Sequence, residues 1–328
     1  MAVDRKTIFA FLAVAVLFGG TFVAAKLGLS YFPPLLFVAI RFDIAAVLLV
    51  GYVVATRRRN QLIPRTTGDL VGILATGVFA IGGANALLFV GQQYTSSAVG
   101  AIIASLNPIL TPVFAAFLLS DERVSPRLVS GLLLGLVGVA LVVGFDPASV
   151  TSIGFGKTVM FVGAAIGALG SVLIRWGDGS LTSTVRTAWG LPFAAALSHG
   201  LSVAAGEQVS AVTLAPEGLL ALVYLGVFAG ALGYIAYFGL IDDVGAVRAN
   251  LVFYATPIVA TLGGWALLSE SITANTVFGF VVIFAGFVVL GSESVDLESV
   301  LPFVDGSTED DGSSCLRVNG EARGFESD

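Results

Sequence analysis

The sequence predicts an all-α integral membrane protein, with ten transmembrane helices arranged as two inverted five-helix repeats. Three observations lead to this fold class. Of the 328 residues, 56% are hydrophobic and 12% are charged, whereas a soluble domain carries about 25% charged residues. Apolar runs of about 20 residues, the length that crosses a bilayer, follow one another along the chain. The second half of the chain also repeats features of the first half at an offset of 149 residues.

The apolar runs are expected to be helices rather than barrel strands. Lipid offers the backbone no hydrogen-bond partner, so only helices and closed barrels span a membrane. Barrel strands alternate apolar and polar residues, and a run such as VSGLLLGLVGVALVVGF does not alternate. The ten predicted spans are 7–29, 34–55, 69–91, 97–119, 127–145, 153–175, 186–206, 217–240, 246–268 and 274–292.

The two ends of the chain differ in character. The first run follows Arg5 and Lys6 and is too long for the core of a signal peptide, so we predict an uncleaved first span. Residues 293–328 hold ten of the 22 acidic and two of the 16 basic residues, which leaves a net charge of +2 on the rest of the chain. This composition predicts a disordered acidic tail. The single cysteine, Cys315, lies in the tail and excludes an internal disulfide.

Basic residues predict the orientation of the spans. The loop after span two, ATRRRNQLIPR, holds four arginines, and cytoplasmic loops are enriched in arginine and lysine. With this loop inside, only Lys26 and Lys157 fall on the outer side. The segregation predicts a multi-pass protein of the cell (plasma) membrane with both termini in the cytoplasm. The eleven inner basic residues are Arg5, Lys6, Arg57, Arg58, Arg59, Arg65, Arg123, Arg127, Arg175, Arg186 and Arg248.

The internal repeat divides the chain into two units and a tail. At an offset of 149 residues the tetrapeptide GVFA recurs, and Pro108 recurs as Pro257. We predict a first five-helix unit at 1–145, a second at 151–292 and the tail at 293–328. Because five is odd, the second unit enters the membrane from the opposite side. Inverted repeats of this kind place a solute site near the midplane where the halves meet.

Several stretches resemble the paired EamA domains of drug/metabolite transporters. They are VLFGGTFVAAKLGLSYFPPLLFVAIRFDIAAVLLV, the block that begins NPILTPVFAAFLLSDE, and its echo TPIVATLGGWALLSES. The resemblance covers roughly residues 7–292. It implies a ten-helix permease for small metabolites, often an exporter, and it implies no particular solute. Two departures are Phe18-Gly19, where Trp-Gly is common, and Gly190, which stands where the second unit would repeat Arg41.

Four ionisable side chains are the gating and coupling candidates, because charges are costly within a bilayer. Lys26 and Arg175 occupy equivalent positions near opposite mouths. Arg41 and Asp43 lie within span two, two residues apart and therefore on nearly opposite faces. Asp43 is the acid farthest from the span ends and the expected proton carrier, if transport is proton-coupled. Alternatively, Arg41 braces the fold or extends to the interface, and Asp43 pairs with a neighbouring helix, for example through Lys26.

Polar side chains concentrate in spans three, four, eight and nine, the corresponding spans of the two units. They either contact a solute or join helices by hydrogen bonds, which contribute about 1 kcal/mol each. The set also includes Gln92, Gln93, Ser105 and Tyr237. The substrate-pathway candidates are Asn85, Asn107, Tyr234, Asn250, Tyr254 and Thr256.

The two repeated prolines mark the expected solute site. A proline inside a helix frees the carbonyl four residues earlier, here those of Ala104 and Phe253. At membrane depth such a carbonyl is tolerated only within protein or beside a cavity. We therefore expect a central site between spans four and nine, with packing kinks as the alternative.

Other functions receive less support from the sequence. An intramembrane lipid or prenyl-modifying enzyme needs clustered acids or histidines, but His199, expected at the interface, is the lone histidine. A channel needs a filter loop or charged ring, and none is recognisable. We thus predict a secondary-active transporter with no enzymatic activity, no cofactor and no metal. Its expected partners are a small-molecule solute and the lipid bilayer, without nucleic acid, and a homodimer is left open.

Overall fold

The structure is a computed structural model that describes residues 5–119, 126–143, 154–244, 249 and 252–291. These residues form one compact unit. Helices dominate them, and no strand occurs within these ranges. The prediction of an all-α protein is therefore confirmed. The predicted disordered tail lies outside the described residues.

Each predicted span contains helical structure, and we keep the numbering of spans one to ten. Spans three, four and eight are divided into successive helical segments. In chain order the span helices are Arg5–Gly28, Pro34–Thr56, Thr67–Leu74 with Ala75–Gly83 and Ala84–Gln92, Ser97–Ala104 with Asn107–Leu118, Pro126–Val143, Phe155–Gly177, Ser183–Ala204, Pro216–Val223 with Tyr224–Leu232 and Gly233–Val244, Val252–Leu268, and Ala274–Gly291.

Six of the described helices are long and apolar enough to cross a bilayer, which supports a multi-pass membrane protein. Spans nine and ten contribute shorter apolar helices, Ala255–Leu268 and Ala274–Gly286. A count of ten membrane-crossing helices is consistent with this set. The six long helices are Lys6–Gly28, Pro34–Thr56, Thr67–Gln92, Ser97–Leu118, Phe155–Gly177 and Pro216–Leu240.

Spans three and eight each contain a nine-residue π-helix, Ala75–Gly83 and Tyr224–Leu232. The two segments are offset by 149 residues, the same offset as the sequence repeat. π-Helices are rare and occur often at functional sites, because the wider turn redirects the side chains that follow it. The sequence predicted helices here without distinguishing their type.

The prolines of spans four and nine have different structural roles. Span nine continues through Pro257, which lies inside Val252–Leu268. Span four instead breaks after Ala104 and restarts at Asn107. Pro108 therefore stands in the first turn of a new helix, where its missing N–H removes no hydrogen bond. The expectation that Pro108 interrupts a continuous helix is corrected by this geometry.

The packing of the spans repeats when the two halves are exchanged. Span one packs against span nine, as span six packs against span four. Span three packs against spans six and seven, as span eight packs against spans one and two. Spans two and seven, four and nine, and five and ten pair with their own counterparts. This arrangement brings spans four and nine into contact with each other.

Carboxylates connect loops and helix starts at both ends of the bundle, where Asp69 is buried and Glu207 half-buried. At one end Asp69 accepts backbone N–H groups of Arg65, Thr66, Ser180 and Leu181 at 2.6–3.1 Å. Its helix start thereby holds the loop between spans six and seven. Helix N-termini favour such carboxylates, because their first N–H groups have no partner within the helix.

At the other end, Glu207 after span seven performs the same function for span two. Its carboxylate accepts the N–H groups of Leu35 and Leu36 at 3.1 and 2.8 Å. The hydroxyl of Ser202 donates to it at 2.8 Å. Glu207 thus joins the end of one span to the start of another.

Candidate solute cavity

A cavity of about 630 Å³ lies among spans one, two, three, four, six, eight and nine. Its volume falls within the range of small-molecule sites. Both units contribute to its wall, and apolar side chains form most of the lining. The cavity therefore occupies the place between the two units where the sequence predicted a solute site.

Many lining residues occupy equivalent positions of the two units. Asn85 and Tyr234 follow the two π-helices at the same offset, and both line the cavity. Three of the six pairs place an aromatic residue in the second unit where the first has none. The pair of Phe22 and Ser171 shows the reverse. The equivalent lining pairs are Phe22 and Ser171, Ala80 and Ala229, Asn85 and Tyr234, Leu88 and Tyr237, Ala104 and Phe253, and Asn107 and Thr256.

Arg41 brings a positive charge to the cavity wall. Its side chain is only 6% exposed, and its guanidinium lies 4.5 and 4.7 Å from the ring centres of Phe42 and Phe89. Its Nη2 donates a hydrogen bond to Oδ1 of Asn85 at 2.7 Å. Asn85 in turn donates from Nδ2 to the carbonyl of Ile81 at 2.7 Å. The π-helix of span three thus orients Asn85, and Asn85 orients Arg41.

Four aromatic rings form a continuous wall of the cavity. Phe18 stacks on Phe253 with centroids 5.8 Å apart, and it also contacts Tyr234 and Tyr237. Tyr237 meets Phe253 edge to face at 5.4 Å. Such contacts fix ring orientations. The rings come from spans one, eight and nine.

Thr256 and Asn107 line the cavity beside the two prolines, but their hydrogen bonds differ. The Thr256 hydroxyl donates to the carbonyl of Phe253 at 2.7 Å, and Pro257 leaves that carbonyl without its helical N–H. The Thr111 hydroxyl donates to the backbone carbonyl of Asn107 at 2.8 Å and also lies 3.2 Å from the Asn107 side-chain oxygen. Thr256 therefore completes its own helix, whereas Asn107 belongs to a polar pair on the wall.

The cavity contains four of the six predicted substrate-pathway residues, Asn85, Asn107, Tyr234 and Thr256. Asn250 and the side chain of Tyr254 lie outside the described residues. The lining also contains Thr21, Thr111 and Ser171, which sequence reasoning did not single out.

Lys26 connects spans one and three at one end of the bundle. Its ammonium donates to the carbonyls of Gln92 and Gln93 at 3.1 and 3.2 Å. Glu270, after span nine, accepts the Ser97 N–H at 2.9 Å, and the Ser97 hydroxyl donates to the carbonyl of Phe22 in span one at 3.3 Å. This end of spans one, three, four and nine is therefore held together by polar contacts.

Arg175 and Asp43 lie outside the cavity lining. Arg175 stands in the last turn of span six, near the end where Asp69 joins the loops. The Oδ2 atom of Asp43 lies 2.8 Å from Nε2 of His199, within hydrogen-bond distance. The side chains of Asp43 and His199 are 50% and 45% exposed. From the sequence, Lys26 was offered as an example of a partner for Asp43. The structure instead pairs Asp43 with His199, and Lys26 bonds to span three. Within the described residues, no group of three metal-ligating side chains occurs.

Comparisons with known proteins agree with this architecture. The model of the EamA-like transporter family matches residues 5–144 and again 154–292. A similar protein is the uncharacterized transporter YyaM of Bacillus subtilis (strain 168), 30% identical over 84% of this chain and 90% of its own length. The uncharacterized inner membrane transporter YedA of Escherichia coli (strain K12) is 25% identical over 80% of this chain and 83% of its own.

A solved crystal structure shares the fold. It matches with a TM-score of 0.59 and 22% sequence identity, covering 90% of this chain and 100% of the solved chain. The family model covers most of the sequence, in two copies that each contain the elements lining the cavity. This chain therefore belongs to the EamA-like transporter family.

Proposed function

We propose that this protein is a secondary-active permease that moves a small metabolite by alternating access. The observation that carries the proposal is the cavity itself, which is lined by equivalent positions of the two halves. A site on the boundary between two related halves becomes accessible from either side when one half rocks against the other. The family of the chain supports a membrane transporter.

The hydrogen bonds that Lys26 and Glu270 each make to neighbouring spans close the cavity at one end of the bundle. They join spans one, three, four and nine, and the first turn of span four leads from Ser97 to the cavity residue Ala101. Breaking the contact between Glu270 and Ser97 frees the start of span four. In the proposed cycle Arg175, the repeat equivalent of Lys26, serves the opposite mouth.

The function is tested with the purified protein in sealed proteoliposomes. A ligand that binds the folded state raises its melting temperature, so a thermal-shift screen of metabolites selects solutes for counterflow measurements. We expect a stabilising solute to exchange across the vesicle membrane only when the protein is present. A protein that binds solutes but exchanges none of them would contradict the proposal.

The closure is tested by cysteine accessibility. In a background without Cys315, Ala101→Cys places a thiol in the cavity near Glu270, and Thr111→Cys places one on the second segment of span four. Adding Glu270→Gln is expected to raise severalfold the rate at which a membrane-impermeant reagent modifies Ala101→Cys. The rate at Thr111→Cys should fall or stay unchanged. An equal rise at both positions would indicate general loosening rather than a gate.

A further inference from the structure

We infer that the cavity selects a small organic anion, with its carboxylate on Arg41 and an aromatic or other flat apolar body against the ring wall. The inference rests on the proposed transport function and adds the chemical class of the solute. Two features carry it: the charge of Arg41 lacks a protein counter-charge within the described residues, and a cluster of aromatic rings lines the same cavity.

The surroundings of Arg41 leave its charge available. Across the described ranges, no carboxylate lies within 4.0 Å of it, and its one side-chain hydrogen bond goes to the neutral Asn85. Its buried Nε has no hydrogen-bond partner there. A buried charge without a partner costs several kcal/mol, and ionisable groups within spans are functional candidates for that reason. A bound carboxylate would remove this cost.

The chemistry of the guanidinium specifies the ligand group. Arginine presents a planar fork of donors that matches the two oxygens of a carboxylate. The rings of Phe42 and Phe89 hold the guanidinium from within the protein, and Asn85 fixes one donor by its hydrogen bond. The fork is thereby preorganised for an anion that enters from the cavity.

The distribution of aromatic residues specifies the rest of the ligand. At equivalent positions, Leu88 corresponds to Tyr237 and Ala104 corresponds to Phe253, so the second unit supplies rings where the first does not. With Phe18 these rings form an apolar wall next to the cationic one. An amphipathic anion satisfies both walls, whereas a neutral sugar leaves the charge of Arg41 unpaired and a cation is repelled by it.

The test compares acids with their neutral amides. Phenylacetate, benzoate and hexanoate, each paired with its primary amide, are titrated into the purified protein in detergent, and dissociation constants are obtained from thermal shifts. We expect at least one acid to bind about tenfold more tightly than its amide, as a charge-assisted pair requires. If no acid exceeds its amide in the wild type, the inference is wrong.

Variants assign the preference to named side chains. Arg41→Gln should abolish the acid–amide difference, and Arg41→Lys should retain part of it. Arg186→Gln is the matched control, because Arg186 also has a buried Nε without a partner but lies outside the cavity lining. An unchanged acid preference in Arg41→Gln would overturn the inference. If Arg41→Gln fails to fold, the acid–amide difference in Arg41→Lys and in the wild type still tests the inference.

The ring wall has its own control. Phe253→Leu should weaken phenylacetate binding more than hexanoate binding, whereas Phe280→Leu, which removes a ring of span ten outside the cavity lining, should affect neither. Equal losses for both acids in Phe253→Leu would contradict the aromatic part. If acids bind through Arg41 but no vesicle exchange occurs, transport fails and the anion site stands. If instead a neutral solute is exchanged and acids do not inhibit its exchange, the transport function stands and the anion site is wrong.

Discussion

The hydroxyl of Thr256 shows how one side chain can resolve the conflict between a proline and a helix. Pro257 removes an N–H from span nine, and the Thr256 hydroxyl donates to the carbonyl that this leaves. A buried carbonyl without a partner costs about 1–3 kcal/mol. The hydrogen bond therefore contributes to the stability of span nine as well as to the cavity wall.

We predict that Thr256→Val lowers the melting temperature of the protein, since it keeps the shape but removes the donor. Thr256→Ser retains the hydroxyl and should melt near the wild type. Asn107→Ala is the comparison at the equivalent position, and it should weaken solute binding with a smaller loss of stability. Equal melting temperatures for Thr256→Val and Thr256→Ser would contradict this role.

The pair of Asp43 and His199 allows the coupling prediction to be tested against a structural role. Asp43→Asn and His199→Gln both alter the contact between spans two and seven, but only the first removes the carboxylate. If Asp43 carries the coupling proton, Asp43→Asn loses concentrative uptake and keeps exchange, while His199→Gln keeps both. Equal behaviour of the two variants in proteoliposome uptake would assign Asp43 to packing.

At the scale of the element, the sequence predicts spans better than it predicts their interruptions. Runs of apolar residues determine where helices cross the bilayer, because the cost of exposed backbone in lipid leaves few alternatives. The break between Ala104 and Asn107 and the two π-helices lie within such runs, and the apolar pattern does not mark them. The presence of Pro108 predicts that the helix of span four is interrupted, but it does not predict whether the helix bends or ends and restarts.

The sequence also did not predict that Asp69 and Glu207 accept N–H groups from other spans and loops, because these partners are distant in sequence. We predict that Asp69→Asn lowers the melting temperature, since one carboxylate oxygen that accepts N–H groups becomes a donor facing them. Glu217→Gln is the control, an exposed acid in the first turn of span eight. A melting temperature for Asp69→Asn as high as that of Glu217→Gln would show that the loop contact does not stabilise the fold.

At the scale of the whole molecule, the orientation in the membrane remains a prediction from charge. The arginine-rich loop at 57–65 lies at the Asp69 end, opposite to Glu207. In a Cys315→Ser background, a membrane-impermeant maleimide should label Ser210→Cys in intact cells and Asn60→Cys only after permeabilisation. Labelling of Asn60→Cys in intact cells would reverse the orientation.

The cavity was predictable in location and only partly in composition. The repeat and the polar content of four spans indicated a central site, and most of the described candidates line it. The role of Arg41 was not evident, because periodicity places it on one face of span two but does not show what that face meets. Aromatic residues such as Phe18 resemble ordinary apolar residues of a span until their packing is known.

The matched π-helices also bear on the equivalence of the two units. In a π-helix each backbone hydrogen bond spans five residues rather than the four of an α-helix, so each turn contains additional chain. Ala75–Gly83 and Tyr224–Leu232 are offset by the same number of residues as the prolines of the repeat. The two units therefore match residue for residue from the π-helices to these prolines, with no insertion or deletion between them. The lining has nevertheless diverged, since the first unit holds Arg41 and Phe18 whereas the second supplies the other three rings of the wall.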